Sequence, residues 1–441
     1  MFLIAFPVSA AERLSLSDLM NRLEENDVAL KQIIHQRTQS QFLKDLTLPS
    51  SRILFEFKNE YGISLQGAGN TSTLSGTATK DLLSSGTSLS LGYAKVNRVD
   101  REEETVQVRV EQSLLRNAFG GRNRLLDSTL DMETNLLLLE IAEAYEDYLS
   151  GVIGTYLDWQ AAFVKLKVNE SLYEEAQRLE KNIQRRLGKS VASSIDLDKA
   201  KLQSLSLYET VLRSRGEYAS FSSRIAALGG STSSILPQDT PPYLDRKFDF
   251  ESEIQRVEKF SRSYELAKLK QKIAKNQSEY VGGMLNPDLR LVVGYNFDNS
   301  TRFATAVNRS EALVGLNLVY PLGDSQNQAE AAKANFAALQ AEFQKSSTER
   351  DLKVAVTSLR VQLDEKMTEV SVSEQKLKLA RSLSRRENRR YQQGRIDFET
   401  LLNSQNTLAS SESEFLQKRV ELSKLVVQWL NTTDQLLKSK S

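Results

Sequence analysis

The chain has 441 residues, 58 lysines and arginines against 57 aspartates and glutamates, no cysteine, and one histidine, His35. A net charge near zero removes the general electrostatic ground for nucleic-acid binding. The lack of cysteine excludes disulfides, thiolate metal sites, cysteine nucleophiles and a lipid-anchored amino-terminal cysteine. No nucleophile, base or metal cluster stands out, so neither enzymatic activity nor a cofactor or metal is expected.

Residues 1–10 read as the remnant of a signal peptide: a short apolar run ending in small residues, with Val8-Ser9-Ala10 placed like a cleavage site. No later stretch approaches the ~20 apolar residues of a membrane-spanning helix, so any span must be made of strands. Leu14 to Leu46 reads as helix, ended by Leu48-Pro49-Ser50. Period-two alternation follows, with Ile53, Phe55, Phe57, Tyr61, Ile63 and Leu65 opposite Glu56, Lys58, Glu60, Gly62 and Ser64. Thr71 to Ser85, rich in Gly, Ser and Thr, reads as a loop. Strand patterning returns at Thr87–Val96 and at Val106, Val108 and Val110. From Asn117 to Arg186 the pattern is helical without a proline, ~100 Å at 1.5 Å per residue. Ser194–Leu228 is a second helix, and the Gly229–Pro242 region a linker.

The second half takes the same order. Ser252–Tyr280 is helical, and Leu289, Leu291, Val293, Tyr295 and Phe297 alternate with polar residues, as do Val314, Leu316, Leu318 and Tyr320. After Pro321-Leu322-Gly323-Asp324 a helix runs to about Arg390, and a last one from Glu399 to Leu436. Arg186-Leu187-Gly188 and Tyr391-Gln392-Gln393-Gly394 break the two long helices at corresponding places. We read two structural repeats, 11–236 and 237–441, each a helix, strands and a long helical hairpin.

Helices of this length need lateral partners. Leu359, Val361, Leu363, Val370, Leu377 and Leu379 form a broken, heptad-like seam. The strands have one apolar face and one polar face, the pattern of a barrel with a wet interior. Four or so strands cannot close such a barrel, so several chains must share one. Helices that all leave from one side require an even number of strand passes per half. The first half shows three segments, so either two of them form one interrupted leg or one lies outside the barrel.

In this order of elements the chain resembles the TolC-like outer membrane efflux proteins, over about Leu14 to Leu436. Val110-Glu111-Gln112-Ser113-Leu114-Leu115-Arg116 looks like that family's strand-to-helix segment, with Ser113 where proline is usual and Asn117 where glycine is. Leu313 to Gly323 is the matching segment of the second half. Arg390-Tyr391-Gln392-Gln393-Gly394 followed by Leu401-Leu402-Asn403-Ser404-Gln405 is similar to the family's tip motif. The resemblance implies a mainly α fold with β: long antiparallel helical hairpins forming an α-barrel, plus about four strands per chain in a shared, trimeric, 12-stranded outer-membrane β-barrel. It implies a homotrimer in the outer membrane of a Gram-negative bacterium, with helices projecting into the periplasm. The partners would be a periplasmic adaptor and an inner-membrane pump of RND or ABC type, with outer-membrane lipid around the barrel. The function implied is the passive exit duct of a tripartite efflux or type I secretion system.

The resemblance also marks two groups of residues. Leu187, Gly188, Gly394 and Ile396 match positions that meet the adaptor, although glycine is also the default where a helix must stop. Asp196, Lys199, Tyr391, Arg395, Asp397, Thr400 and Asn403 surround the aperture. Thr400 and Asn403 stand where the family often places aspartates, so an acidic ring is not reproduced. An Arg395–Asp196 link between the turns, with Tyr391 wedged beside it, is the expected lock. The alternative is a coiled-coil scaffold without channel activity, which accounts for the helices and leaves the paired strands unexplained; a stand-alone porin fits worse, being nearly all strand.

Overall fold

The computed structural model describes residues 12–48, 52–65, 69–188, 193–229, 235–238, 248–302, 305–320 and 322–437. The signal-like segment 1–10 and Pro49 lie outside the described residues. The chain divides into two compact units, Met1–Gln36 with Ile141–Arg262 and Glu349–Ser441, and Arg37–Glu140 with Ser263–Thr348. Both units draw on both halves of the chain.

The first unit is helical. Its long elements are α4 (Gly121–Leu187), α5 (Ser194–Gly229), α8 (Ser325–Gln392) and α9 (Phe398–Thr432), of which α4 and α8 also contribute to the second unit. Hydrogen-bond partners step down α5 as they step up α4: Trp159 donates to Ser222 at 2.8 Å, Lys165 to Glu217 at 2.9 Å, and Asn169 to Ser214 at 2.7 Å. The same holds for α8 and α9, with Lys366–Glu421 at 3.0 Å and Lys376–Glu414 at 2.7 Å. Both pairs are therefore antiparallel hairpins.

Small elements close the wide end of this unit. A two-strand parallel ribbon joins β1 (Glu12–Leu14) to β6 (Ile235–Pro237), inside what the sequence suggests is a linker. The first expected helix is broken into α1 (Leu16–Asn26), α2 (Val28–Ser40) and α3 (Leu43–Thr47), of which α3 and the end of α2 belong to the second unit. Ser15 and Asp18 cap α1 reciprocally, so orphan amides there are satisfied. The helix expected at 252–280 is likewise two, α6 (Phe250–Phe260) in this unit and α7 (Arg262–Gly282), which passes into the second unit after Arg262.

The large core of the unit gathers Leu19, Leu23, Tyr156, Trp159, Val426 and Trp429, all nearly fully buried. Buried aromatics need partners for their polar atoms. Tyr156 donates to the Leu14 carbonyl at 3.0 Å and Trp429 to Glu253 at 2.6 Å. The fully buried Glu146 carboxylate accepts from the Leu436 amide at 2.7 Å and pairs with Arg262. Arg262 also reaches Asp434, donating through its backbone at 2.9 Å and its guanidinium at 3.1 Å.

The second unit contains a six-stranded, wholly antiparallel sheet in the order β2-β3-β4-β5-β7-β8. Its strands are β2 (Ile53–Gly62), β3 (Thr71–Leu82), β4 (Thr87–Asn97), β5 (Arg101–Ser113), β7 (Asp288–Arg302) and β8 (Thr305–Val319). The segment expected to be a loop at 71–85 is β3 and its turn. Its threonines and serines conceal a period-two pattern: Thr71, Thr73, Ser75, Thr77 and Thr79 share one face, and β-branched threonine suits a pleated strand. With β3 included, the first half contributes four passes and the second half two. Parity is met, and among the described residues this sheet has six strands where about four are expected.

Two glycines fix the junction between this sheet and α4. Gly86 and Gly120 have φ of +65° and +76°. A Cβ on Gly120 would lie 2.4 Å from the Ser84 carbonyl oxygen, so only glycine admits this approach of two backbones.

Candidate functional site

The sheet separates its residues by face. Directly paired positions place Ile53, Phe55 and Phe57 of β2, Leu89, Leu91 and Tyr93 of β4, Val106, Val108 and Val110 of β5, Val293, Tyr295 and Phe297 of β7, and Val314 of β8 on the same side. All are substantially exposed in the single chain; Phe55 retains 77% of its surface and Val314 74%. The belt ends in a row containing Phe57, Tyr93 and Phe297, followed by a row with Asn59, Lys95, Glu104, Asn299 and Asn308. Lys95 pairs there with Glu104 at 2.9 Å and with Glu102. The opposite face bears Thr73, Ser75, Thr77, Ser90, Arg109, Glu111, Asn296 and Asn317. An apolar belt bounded by aromatics, backed by a polar face, is the arrangement of a strand wall between lipid and water. Among the described residues neither β2 nor β8 has a second neighbour, so both edges of the sheet are unpaired there. Among the described residues no helix is long and apolar enough to cross a membrane.

The helical unit exposes apolar stripes at heptad spacing. On α5, Ile195 and Leu202, and Leu205 and Leu212, lie seven apart; on α8, Val354 and Val361, and Val372 and Leu379, do the same. The sequence seam divides accordingly. Leu359, Leu363 and Leu377 are buried and Val370 packs against the core, whereas Val361 and Leu379 face outward on a second stripe. This second stripe is legible as a heptad period, but the single seam drawn through 359–379 mixed the two.

The α4–α5 and α8–α9 turns meet around a small cluster of Ile183, Ala200, Tyr391, Phe398 and Leu401, with Ile396 and Leu197 packed against it. Tyr391 lies 6.1 Å from Phe398 and under the Arg186 guanidinium, 4.8 Å from its ring centre. Burial pushes its phenol above the usual range. Gly394 adopts φ +71°, with the Arg395 amide reaching the Arg390 carbonyl at 2.9 Å and the Gly394 amide the Tyr391 carbonyl at 3.0 Å. That is a Schellman stop, and it requires the left-handed conformation glycine supplies.

The expected Arg395–Asp196 link is not formed. Asp196 instead caps α5 reciprocally with Ser193, at 3.1 and 3.2 Å. Arg395 is exposed and makes no ion pair among the described residues. The turns are joined by Lys199–Glu399 at 2.9 Å and by Gln203 to Asn406 at 2.9 Å. The hydrogen bond to Glu399 raises the Lys199 ammonium pKa. Asp397 caps α9 through the Thr400 amide at 2.8 Å, and its hydrogen bonding with Thr400 holds its carboxyl below the usual range. Tyr391 is buried beneath Arg186 rather than wedged beside Arg395. Thr400, Asn403, Gly188 and Gly394 are exposed, and Leu187 and Ile396 partly so. Lys189–Ala192, within the first turn, lie outside the described residues. Sequence reasoning missed Glu399, Arg186 and Asn406, because a cross-turn contact has no sequence period.

No protein-family model and no curated protein matches the chain. Solved structures do. The outer-membrane channel OprN superposes with a TM-score of 0.69 at 16% identity, covering 95% of this chain and 89% of that one. CusC, described in terms of folding and transmembrane channel formation, gives 0.68 at 13% identity over 98% and 95%. The open-state MtrE channel of Neisseria gonorrhoeae gives 0.68 at 12% identity over 95% and 88%. The chain has the TolC-like outer-membrane factor fold. At these identities the likeness speaks for the fold. In this TolC-like chain the belted sheet, the outward helical stripes and the paired turns are the features that carry the functional argument.

Proposed function

We propose that this protein is one protomer of a homotrimeric outer-membrane exit duct, in which the sheet joins a shared barrel and the helices form the periplasmic conduit. The observation that carries this reading is the six-stranded sheet whose apolar face is exposed while both edges lack partners. Unpaired edges are costly in lipid, and closure on copies of the same chain removes them. Three copies that each add strands to one barrel would close it around an aqueous lumen. The exposed heptad stripes of α5 and α8 give each copy an apolar face to present to its neighbour. The structural relatives, named as outer-membrane or transmembrane channels, support the channel part of this reading.

In this reading the duct is passive. A periplasmic adaptor docks at Leu187, Gly188, Gly394 and Ile396, and an inner-membrane pump of RND or ABC type supplies the energy. Asp196, Lys199, Tyr391, Arg395, Asp397, Thr400 and Asn403 line or brace the aperture, with Lys199–Glu399 as the cross-turn contact within a protomer. The cargo leaves through a tripartite efflux or type I secretion assembly. The test is the native mass of the protein extracted in detergent from a separated outer-membrane fraction, followed by reconstitution into planar bilayers. A three-chain particle that conducts is the expected result. A soluble monomer or dimer absent from that fraction would leave a coiled-coil scaffold as the better account.

A further inference from the structure

Within the second unit, where the sheet passes into α4, Ser113 and Asn117 line a cavity of about 320 Å³. The Ser113 hydroxyl accepts the Asn117 amide at 3.2 Å, and the Asn117 carboxamide accepts the Arg122 and Asn123 amides at 3.1 and 3.3 Å. This relay fixes the first turn of α4 against the base of the sheet, and so sets where Arg122 lies. Proline and glycine at these two positions have no side-chain acceptor and could not form it. The wall contributed by the sheet is its polar face: Asp81, Ser88 and Glu111 share one row, and Ser113 and Arg290 another.

Six charged side chains line the cavity, Asp81, Glu111, Arg116, Arg122, Asp288 and Arg290, and they differ in how they are satisfied. Arg290 holds Asp288 at 3.0 Å and Glu111 at 3.6 Å, and Arg109 lies 3.9 Å from Glu111. Asp81 accepts the Ser88 hydroxyl. Arg116 and Arg122 pair with no carboxylate among the described residues. Arg116 donates through Nε to the Asn286 carbonyl at 3.0 Å. Arg122 lies over the Tyr280 ring, 4.0 Å from its centre, and its buried Nε has no hydrogen-bond partner. Two guanidiniums without a carboxylate therefore stand against one carboxylate without a cation.

The fold alone gives no reason for this arrangement. Arg122 occupies the first turn of α4, where the positive end of the helix dipole disfavours a cation, and that turn has no acidic side chain. A buried donor left without an acceptor costs free energy that a bound acceptor would recover. Stacking on a ring engages the face of a guanidinium and leaves its in-plane donors available. The cavity has the size of a small-molecule site rather than of a single water.

We propose that this cavity binds the carboxylate or phosphate group of a small organic anion passing through the duct, with Arg122 and Arg116 as the anion-binding pair. Planar guanidiniums suit both oxyanions through paired, charge-assisted hydrogen bonds. Because the wall is the polar face of the sheet, the anion comes from the lumen rather than from a lipid headgroup. That source rests on the reading of this face as the channel wall; the site itself does not.

The test is isothermal titration calorimetry on the full-length protein in neutral detergent, with citrate as the probe and spermidine as the cationic control. Citrate should bind saturably and weaken between about 50 and about 500 mM salt, and spermidine should not bind. Arg122→Gln and Arg116→Gln should each weaken citrate at least about tenfold. Arg98→Gln, in the turn between β4 and β5, should bind as the wild type does. Absence of citrate binding by the wild type, equal binding of spermidine, or an equal loss in Arg98→Gln overturns the site. Phosphatidylglycerol mixed into the micelles should leave the citrate affinity unchanged; competition would assign the site to a headgroup and overturn the lumenal source. In planar bilayers citrate should lower the single-channel current of the wild type and not that of Arg122→Gln, and an unaffected wild-type current would also overturn that source. A protein that binds citrate but never conducts keeps the site and loses the channel reading.

Discussion

The helical unit is held very differently at its two ends. At the wide end two tryptophans, Tyr156 and a layer of leucines and valines are buried together, and a fully buried carboxylate is locked to Arg262 and the carboxy-terminal Leu436 amide. At the turn end, among the described residues, five side chains form the core, fastened by one exposed ion pair, one amide contact and a cation over a ring. Exposed pairs contribute about 0–1 kcal/mol each, so the turn end is held by a small margin while the wide end is not. Regions that open are drawn from the less stable part of a fold, and the contrast places any opening at the turns.

The two tryptophans, Trp159 and Trp429, both lie in the wide-end core, so their fluorescence reports that end alone. Arg262→Ala should have the largest effect, because it strands the Glu146 charge in the interior. Removing one partner of a buried pair costs about 3–5 kcal/mol. The expected result is a lowered thermal transition by tryptophan fluorescence. An unchanged transition would show that the wide end is not fastened there and would erase the contrast.

Gly394→Ala should act at the other end. A Cβ there meets open space, so the cost is the left-handed backbone alone, about 1–2 kcal/mol. Tryptic cleavage at Arg390 and Arg395 should accelerate while the tryptophan transition stays in place. If both readouts moved together, the two ends would be one cooperative unit.

Much of this organisation is legible in the sequence, and the exceptions have physical causes. The long helices announce themselves by period, and the strands of β4, β7 and β8 by alternation of large apolar and small polar residues. β3 escaped because Thr73, Ser75, Thr77 and Thr79 alternate with small residues such as Ser72, Gly76 and Ala78, so neither face looks apolar. The breaks near Asp27 and at Ser261 lack proline or glycine and are made by carboxylates: Asp27 accepts the Leu30 amide at 2.8 Å, and the distant Asp434 accepts the Arg262 amide at 2.9 Å. The turn contacts are least legible: Asp196 reads as the lock partner of Arg395 and Asp397 as an aperture residue, yet each is occupied in capping its own helix. A carboxylate just before or within a first helical turn has a local use that precedes any distant one.

That local use supplies the smallest prediction. Asp397 has a folded-state pKa below its ordinary value of 3.8, chiefly through hydrogen bonding with Thr400. A depressed carboxyl contributes stability that is fully present above the unfolded-state value and is lost as the pH falls through the folded-state value. The turn end should therefore loosen in acid, below about pH 4, before the tryptophan-reported core responds. Asp397→Asn can still accept the Thr400 amide but has no charge to titrate, so its hydrogen–deuterium exchange over the first turn of α9 should lose this acid dependence. The same exchange measured in the wild type at Ser193–Leu197 supplies an internal comparison. Asp196 and Ser193 form a separate capping box at the start of α5. An acid dependence that survives unchanged over the first turn of α9 in the Asp397→Asn protein would show that this carboxylate is not its source.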